Sequence, residues 1–438
     1  MSEKLIAEID LLSPTITAFT NSPDWRKIAY VVTEKEKARV FTDGKEGKPY
    51  DSVDPASLLF SPDGQHLAYM AHLGDMPRVV LDGKEGKLYE GIAAASLVFS
   101  PDSQHFGYVA KHRNGVIAVV DDKESQSFDG IREGASIIFS PDSQHITYGA
   151  QRGNKVFVVV DGREWQGYDD LGSGSLTFSP DSQHAAYVAR IGSKQLVITD
   201  NKEEKQYDGI LQGTLIFSPN SRRVAYVANV GKKQLVVVDG KESEQYDGTA
   251  GGSPIFSPDS QRVAYGAQLG NNWYMAIDEN KEKYWKHVGN IVFSPDSQHI
   301  AYVAQSGSKY LVVADREEGK LYDGVLPGSL IFSPDSNRIA YVARTRKLFN
   351  EKIVVVIDGK DGKPYHGIGI PIFSPNSQHV IYGATVGNKN IVIMDGNEGK
   401  PFDSILRRKN ETGIFVSVDH FHYLALEGNQ IYYVEESI

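Results

Sequence analysis

One short segment recurs along nearly the whole chain of 438 residues and constrains the fold more than any other feature. It reads Phe-Ser-Pro-Asp-Ser-Gln-His, followed by a small residue, a tyrosine and an apolar residue. Its serines mark eleven copies spaced about 39 residues apart, the last of them diverged: Ser22, Ser61, Ser100, Ser140, Ser179, Ser218, Ser257, Ser294, Ser333, Ser374 and Ser417. No interval is long enough to hold a linker, so residues 1–438 are expected to form a single domain of repeats.

Each copy contains four predicted strands, as residues 209–247 illustrate. The strands are predicted at 215–218, at 223–228, at 234–238 and, for a short fourth strand, near Tyr246. A Pro-Asn-Ser turn follows the first strand, because Pro fixes φ and Asn and Ser bond back to their own backbone. The Asp239-Gly240 pair supplies the positive φ of a tight hairpin turn.

The second and third strands, such as IAYVA and LVVVD, are apolar at successive positions. Both faces of each small sheet must therefore be covered, and no stretch of helical period is present to cover them. Neighbouring copies of the sheet meet that need. Four strands in about forty residues are typical of a β-propeller blade, whereas a β-solenoid repeats at a shorter period. We predict an all-β chain, a β-propeller of about eleven four-stranded blades.

The stretch Ser61-Pro62-Asp63-Gly64-Gln65-His66-Leu67-Ala68-Tyr69 resembles the WD-like propeller repeat of the TolB type, and the resemblance covers practically the entire chain. That family is similar to the propeller parts of tricorn and prolyl-oligopeptidase-like proteases, where the propeller is a filter or docking body. The Asp-Gly-Lys-Glu turn followed by Tyr-Asp-Gly departs from the usual TolB spacing and resembles a variant lineage of bacterial proteins. The resemblance therefore implies a fold and no residue-by-residue function.

The two ends of the chain complement each other. The segment 4–12 precedes the first repeat as a lone strand, and the last unit, about 413–438, ends at strand 430–435 without a fourth strand. We expect strand 4–12 to complete that last blade, which removes free sheet edges. One closed ring of eleven blades with a wide central channel is favoured, and two tandem rings, such as five plus six, remain the alternative.

Composition excludes several classes of function. The net charge is −10 and the charges alternate along the chain, so nucleic acid is not an expected partner. The chain has no cysteine, which excludes disulfides and thiolate chemistry. No apolar run reaches the length of a membrane span or of a signal-peptide core. We expect a cytoplasmic monomer, or a periplasmic protein if a leader has been removed.

Three sets of repeated polar residues could suggest chemistry. Equivalent positions on neighbouring blades lie about 10 Å apart, too far for histidines of different blades to share a metal ion. Asn220 and Asn376 replace the repeated aspartate, which favours a turn role over acid–base catalysis. Phe128 and Phe402 replace the tyrosine of the fourth strand, which favours packing between blades. The histidines are His66, His105, His145, His184, His299 and His379.

No nucleophile elbow, metalloprotease, phosphate-loop or dinucleotide motif occurs in the chain. We accordingly assign no catalytic residue, no metal ligand and no cofactor. The candidate binding residues are instead those that break the repeat, in three regions. They are Trp273, Tyr274 and Trp285 in the shortest unit, Arg344, Arg346, Lys347 and Phe349 in an inserted loop, and Arg407 and Arg408 before the last unit.

The favoured function is a non-catalytic scaffold that presents a propeller face or the channel to a protein, a peptide or a small ligand. One alternative is a hydrolase or lyase with a site near the ring axis, although the inner strands would stand far apart for a nucleophile and its base. The other alternative is a structural or assembly module.

Overall fold

The protein is described by a computed structural model that covers residues 2–8, 15–113, 115–132, 136–347, 350–406 and 414–438. The chain is all-β, and its strands form eleven four-stranded blades of a β-propeller, which confirms the fold class predicted from the repeat. We number the blades 1 to 11 along the chain and name their strands a to d. In every blade the strands are hydrogen-bonded in the order a, b, c, d.

Strands b and c form the central hairpin of each blade. The b strands are Ile28–Glu34, Leu67–Leu73, Phe106–His112, Ile146–Arg152, Ala185–Ile191, Val224–Val230, Val263–Leu269, Ile300–Ser306, Ile339–Lys347, Val380–Val386 and His420–Glu427. The c strands are Lys37–Thr42, Met76–Leu81, Gly115–Val120, Lys155–Val160, Lys194–Thr199, Lys233–Val238, Asn272–Ile277, Lys309–Ala314, Asn350–Ile357, Lys389–Met394 and Gln430–Ser437.

Strand a is continuous in blades 1 and 8, as Ile16–Asn21 and His287–Phe293, and consists of two short segments in the other blades. Those segments are Ser52–Val53 and Leu59–Phe60, Gly91–Ile92 and Val98–Phe99, Gly130–Ile131 and Ile138–Phe139, Asp170–Leu171 and Thr177–Phe178, Gly209–Ile210 and Ile216–Phe217, Gly248–Thr249 and Ile255–Phe256, Gly324–Val325 and Ile331–Phe332, Gly367–Ile368 and Ile372–Phe373, and Ser404–Ile405 and Ile414–Val416. Two 3-10 turns, Pro55–Ser57 and Ala94–Ser96, join the segments of blades 2 and 3.

Strand d lies at the far edge of each sheet. In blades 1 to 10 it is Lys45–Tyr50, Lys84–Glu85, Lys123–Glu124, Arg163–Tyr168, Lys202–Glu203, Lys241–Glu242, Asn280–Trp285, Glu317–Glu318, Lys360–Asp361 and Asn397–Glu398. In blade 11 this place is taken by the first strand of the chain, Ser2–Glu8, which lies beside Gln430–Ser437. Part of the segment predicted to fill this place, residues 9–12, lies outside the described residues.

The chain divides into two compact units, each with its own packing. Blades 1 to 5 belong to the unit of Leu5–Asp208 and Asn429–Ile431, and blades 6 to 10 with most of blade 11 belong to the other. Within each unit the buried clusters draw on consecutive blades, as where Val79 of blade 2 packs with Phe106 and Val119 of blade 3. This packing explains the uninterrupted apolar runs of strands b and c, because both faces of a sheet are covered. Among the described residues no helix has the length and apolar character to span a membrane.

The repeated Ser-Pro-Asp-Ser turn joins strands a and b and, within each unit, also ties several blades to the next. In blade 3 the buried Ser100 Oγ accepts a hydrogen bond from the backbone N–H of His105 at 2.9 Å. The second serine of the turn, at positive φ, reaches the preceding blade: the backbone N–H of Asp63 donates to Ser103 Oγ at 3.0 Å. The same bond recurs between later blades, for example from Asp296 to Ser336. The repeat therefore encodes both the turn and part of the contact between blades.

Candidate functional site

The repeated histidines form hydrogen-bonded pairs within their own blades. In each blade Nδ1 lies 2.6 to 2.7 Å from the carboxylate of the aspartate that begins the turn between strands c and d. These pairs are His66 with Asp82, His105 with Asp121, His145 with Asp161, His184 with Asp200, His299 with Asp315 and His379 with Asp395. Arginine makes the same pair in blades 6, 7 and 9. Because guanidinium groups only donate, the interchange indicates a structural pair and not a metal ligand set.

The repeated aspartates are held by the turn. Ser61 Oγ donates to Asp63 Oδ1 at 2.5 Å, and the backbone N–H of Gln65 donates to the same oxygen at 2.9 Å. These two bonds hold the pKa of the Asp63 carboxyl below its usual range. Asn220 accepts the equivalent serine bond at 2.8 Å. The turn thus needs an acceptor and has no need of a group that exchanges protons.

The repeated tyrosines that end or follow strand d lie between blades, and their hydroxyls donate hydrogen bonds to the next blade. Tyr322 Oη donates to Asp361 Oδ1 of the next blade at 2.6 Å, and Tyr168 Oη donates to Glu203 Oε1 at 3.2 Å. Burial, followed by the neighbouring Glu203 carboxylate, raises the pKa of Tyr168 to about 12. Phe128 and Phe402 fill the same place with the ring alone. The packing role is therefore supplemented by a hydrogen bond that sequence reasoning missed.

The three aromatic candidates of blade 7 lie together, mostly in the interior. Tyr274 is fully buried and Trp285 is 6% exposed, whereas Trp273 is half-buried. Trp273 and Trp285 are cross-strand partners, and the Trp273 ring lies 5.1 Å from that of His287 in blade 8. The structure thus places Tyr274 and Trp285 in the packing between blades, and only Trp273 is partly accessible among the three.

The inserted loop of blade 9 is a lengthened hairpin. Its strands Ile339–Lys347 and Asn350–Ile357 have nine and eight residues, against seven and six in most other blades. Arg346 pairs across the hairpin with Glu351, and its backbone N–H donates to Asp323 Oδ2 at 2.7 Å. Hydrogen bonds from Lys309 and from Arg346 lower the pKa of Asp323. An ionised carboxylate therefore anchors the hairpin at Arg346, one residue before the end of strand b.

The remaining predicted binding residues are Lys347, Phe349, Arg407 and Arg408. Lys347 ends strand b of blade 9, and its partner across the hairpin is Asn350. Phe349, Arg407 and Arg408 lie outside the described residues.

Arg344 borders an apolar cleft of about 180 Å³ between blades 9 and 10. Its side chain is 56% exposed, and its Nε lies 3.3 Å from Glu351 Oε1. It lies over Gly324, where an added Cβ would come within 3.1 Å of an Arg344 nitrogen. The apolar lining is Val325, Leu326, Pro327, Val342, Ile353 and Ile368. Sequence reasoning found Arg344 but missed Gly324 and this lining, which became apparent only when the strands were paired.

The equivalent arginine of blade 5 shows what is special about Arg344. Arg190 pairs with Asp170 across its sheet just as Arg344 pairs with Gly324. Asp170 is a carboxylate, 3.4 Å from the Arg190 guanidinium and 2.6 Å from that of Arg132. Glycine stands at that position in blade 9, as it does in five other blades, and offers no carboxylate, so Asp170 is the exception and Arg344 has Glu351 as its acidic neighbour. The Arg344 guanidinium is thereby left at the mouth of an apolar cleft with Glu351 beside it.

A wider cleft between blades 6 and 7 is lined by residues of the ordinary repeat. It measures about 550 Å³, and its lining includes Lys241, Tyr265 and Glu279. A smaller cleft of about 100 Å³ occupies the equivalent place between blades 2 and 3. Lys241 and Glu279 also neutralise each other at 2.8 Å. The blade 9 cleft is therefore the better candidate site, because the lengthened hairpin that supplies Glu351 to its lining breaks the repeat.

Comparisons with known proteins give no family. No protein-family model matches the chain, and no curated protein sequence matches it. Among solved structures, a eukaryotic initiation factor is 13% identical, with a TM-score of 0.41, over 78% of this chain and 96% of that chain. TolB from Acinetobacter baumannii is 14% identical, with a TM-score of 0.27, over 69% and 79% of the two chains. The β-propeller domain of the trilobed protease from Pyrococcus furiosus is 14% identical, with a TM-score of 0.30, over 61% and 94%.

Proposed function

We propose that the protein is a non-catalytic binding protein that holds an extended peptide segment of a partner at blade 9. The observation that supports this proposal is the arginine at the mouth of the apolar cleft, opposite Gly324. The partner segment would place an apolar side chain in the cleft and an acidic side chain against Arg344.

The size and charge of the site favour a peptide over a small molecule. Pockets for drug-sized ligands measure roughly 300 to 1,000 Å³, and this cleft of about 180 Å³ has room for little more than one side chain. Arg344, Arg346 and Lys352 outnumber the acidic Glu351 on the described part of the hairpin. An acidic segment is therefore attracted to it, and a guanidinium can hold a carboxylate through two hydrogen bonds.

We further infer that the repeat is of the TolB type and of bacterial origin. The resemblance of Ser61 to Tyr69 to that repeat supports this assignment. A docking body is also the role of the propeller in the proteases whose propellers that repeat resembles, which is consistent with a binding function here.

A selection with displayed random peptides on the immobilised full-length protein tests the binding site. We expect the selected peptides to share an apolar residue flanked by Asp or Glu. Synthetic copies should bind about tenfold more weakly to the Arg344→Ala variant, because a charge-assisted hydrogen bond is lost. Fluorescence anisotropy of labelled peptides gives the affinities.

Arg190→Ala is the matched control, since it removes the same side chain from the same place in blade 5. It should leave peptide affinity unchanged. Two results would refute the blade 9 site. One is an equal peptide affinity for the wild type and for Arg344→Ala, and the other is an equal loss of affinity in Arg344→Ala and Arg190→Ala. Peptides without any acidic residue would refute the proposed role of the arginine.

A further inference from the structure

Blade 11 contains a second departure from the repeat, on the hairpin of its strands b and c. His420, His422 and Glu435 each offer a ligand atom, and these atoms all lie within 4.8 Å of one another. His420 and His422 are two residues apart on strand b and so point to the same face of the sheet. Their rings lie 6.0 Å apart and nearly parallel. Glu435 comes from the neighbouring strand c.

The repeat itself shows that this arrangement is specific to blade 11. The tyrosine of strand b, Tyr423 in blade 11, aligns His422 with a residue that is small in most other blades. The two-residue turn between strands b and c then aligns Glu435 with the residue that ends strand c in blades 1 to 10. In blades 1 to 10 these two positions are cross-strand partners. The pairs are Ala29 and Thr42, Ala68 and Leu81, Gly107 and Val120, Thr147 and Val160, Ala186 and Thr199, Ala225 and Val238, Ala264 and Ile277, Ala301 and Ala314, Ala340 and Ile357, and Ile381 and Met394.

None of those twenty residues is His, Asp or Glu. Blade 11 has therefore replaced both partners of one cross-strand pair with metal-binding residue types, and has kept the repeat's histidine two residues before the first of them. His422 is only 1% exposed, although an imidazole in this place costs more to bury than the alanine found in most blades. A ligand that holds both partners would offset that cost.

We propose that His420, His422 and Glu435 bind a divalent transition-metal ion. Two imidazoles and one carboxylate suit zinc and its first-row neighbours and disfavour Mg²⁺ and Ca²⁺, which prefer oxygen ligands alone. Ligand atoms about 2 Å from a tetrahedral ion lie roughly 3.3 Å apart, so the most distant of the three ligand atoms need to approach each other by up to about 1.5 Å.

Neighbouring groups orient two of the three ligands. His420 Nδ1 lies 2.8 Å from Asp419 Oδ1 and 2.9 Å from Ser417 Oγ, while its Nε2 lies 3.9 Å from Glu435 Oε2. A carboxylate on one ring nitrogen of a histidine that binds metal through the other is the usual outer partner of such a ligand. Tyr433 Oη donates to Glu435 Oε2 at 3.0 Å. Three protein ligands leave at least one coordination position for water or for a further ligand.

The test measures binding of Zn²⁺ and Co²⁺ to the full-length protein by isothermal titration calorimetry, after dialysis against a chelator. We expect one ion per chain at this site, and intense visible absorption from Co²⁺ if the coordination is four-fold. His420→Ala and Glu435→Gln should each weaken binding at least about tenfold, because each removes one ligand.

A second variant guards against unfolding caused by the loss of the buried imidazole. The double substitution His422→Ile and Glu435→Met installs the pair that blade 10 has in this place, Ile381 and Met394. It should keep the circular dichroism spectrum of the wild type and abolish binding. His379→Ala, which removes the equivalent of His420 from blade 10, is the matched control and should bind Zn²⁺ as the wild type does.

Three results would overturn the proposal. The wild type could bind Zn²⁺ no more tightly than the double variant. The double variant could fold normally and still bind one ion with unchanged affinity. Loss of binding in His379→Ala to the same extent as in His420→Ala would point to adventitious binding by surface histidines.

Discussion

Blades 10 and 11 are neighbours in the chain and have the same order of strands, yet they differ in the turn that precedes strand b. In blade 10 the turn before strand b runs from Ser374 to His379, and the serine is fully buried. In blade 11 the equivalent turn runs from Ser417 to His420, two residues shorter, with a half-buried serine. Strands b and c survive the change because their apolar faces still pack, as where Phe421 and Val434 meet Ile381 and Val392. The comparison teaches that the packing preserves the blade while the polar positions are free to diverge.

The largest expected effect on stability comes from removing the hydroxyl of the first serine in the turn between strands a and b. Ser374→Ala should lower the free energy of unfolding by about 2 to 3 kcal/mol, because the partly buried N–H of His379 loses its acceptor and Asn376 loses its donor. Ser417→Ala in blade 11 should cost about 1 kcal/mol, because its turn is partly open to water. Urea unfolding followed by circular dichroism measures both. Equal losses in the two variants would show that the two turns are energetically alike.

The hydroxyl bonds between blades should contribute less. Tyr365 Oη of blade 9 donates to Glu398 Oε1 of blade 10 at 3.0 Å, whereas Phe402 at the next boundary has no hydroxyl to donate. Tyr365→Phe should therefore cost about 1 kcal/mol in the same urea assay. Tyr284→Phe serves as the control, since that ring is 59% exposed and its loss of a hydroxyl should change nothing measurable. A stability of Tyr365→Phe equal to wild type would assign the whole role to the ring.

Low pH should destabilise blades that have aspartate in the turn between strands a and b more than blades that have asparagine there. Bonds from Ser333 and from a backbone N–H lower the pKa of Asp335 in blade 9, so its contribution to stability is present above the unfolded pKa of about 4 and is lost as pH falls through the lower folded value. Blade 10 has Asn376 there and has no such group to titrate. Asp335→Asn should flatten the fall in thermal midpoint below about pH 4, and Asn376→Asp should steepen it. Parallel pH curves for the two variants would contradict this.

The smallest effect is expected at the two equivalent arginines. Arg344→Ala and Arg190→Ala should each change the free energy of unfolding by less than about 0.5 to 1 kcal/mol, because exposed ion pairs contribute little. The thermal midpoint of each variant, measured without peptide, checks this. A larger loss for Arg344→Ala would mean that its effect on peptide binding reflects damage to blade 9.

Apart from Arg344, sequence reasoning did not anticipate the residues of either site. The burial of Tyr274 and Trp285 depends on the blades around them. A cluster of aromatic residues in the sequence does not show whether its side chains lie in the core or on the surface. The histidine pairs join residues sixteen positions apart, such as His66 and Asp82, and become visible only when strands b and c are folded against each other. The His422–Glu435 position requires the register of a diverged blade whose turn is two residues short.

The sequence by itself determined the blade: its period, its strands, its turns and the number of its copies. These follow from local chemistry, because Pro, Asn, Asp-Gly and runs of apolar residues act within a few positions of one another. Only the tertiary structure decided which side chains meet across strands and between blades, where Arg344 finds Gly324 and where two histidines approach a glutamate. These contacts depend on strand register and on packing between residues far apart in the sequence. The repeat pattern predicts the strands, but it does not show which of the residues that depart from the repeat come into contact.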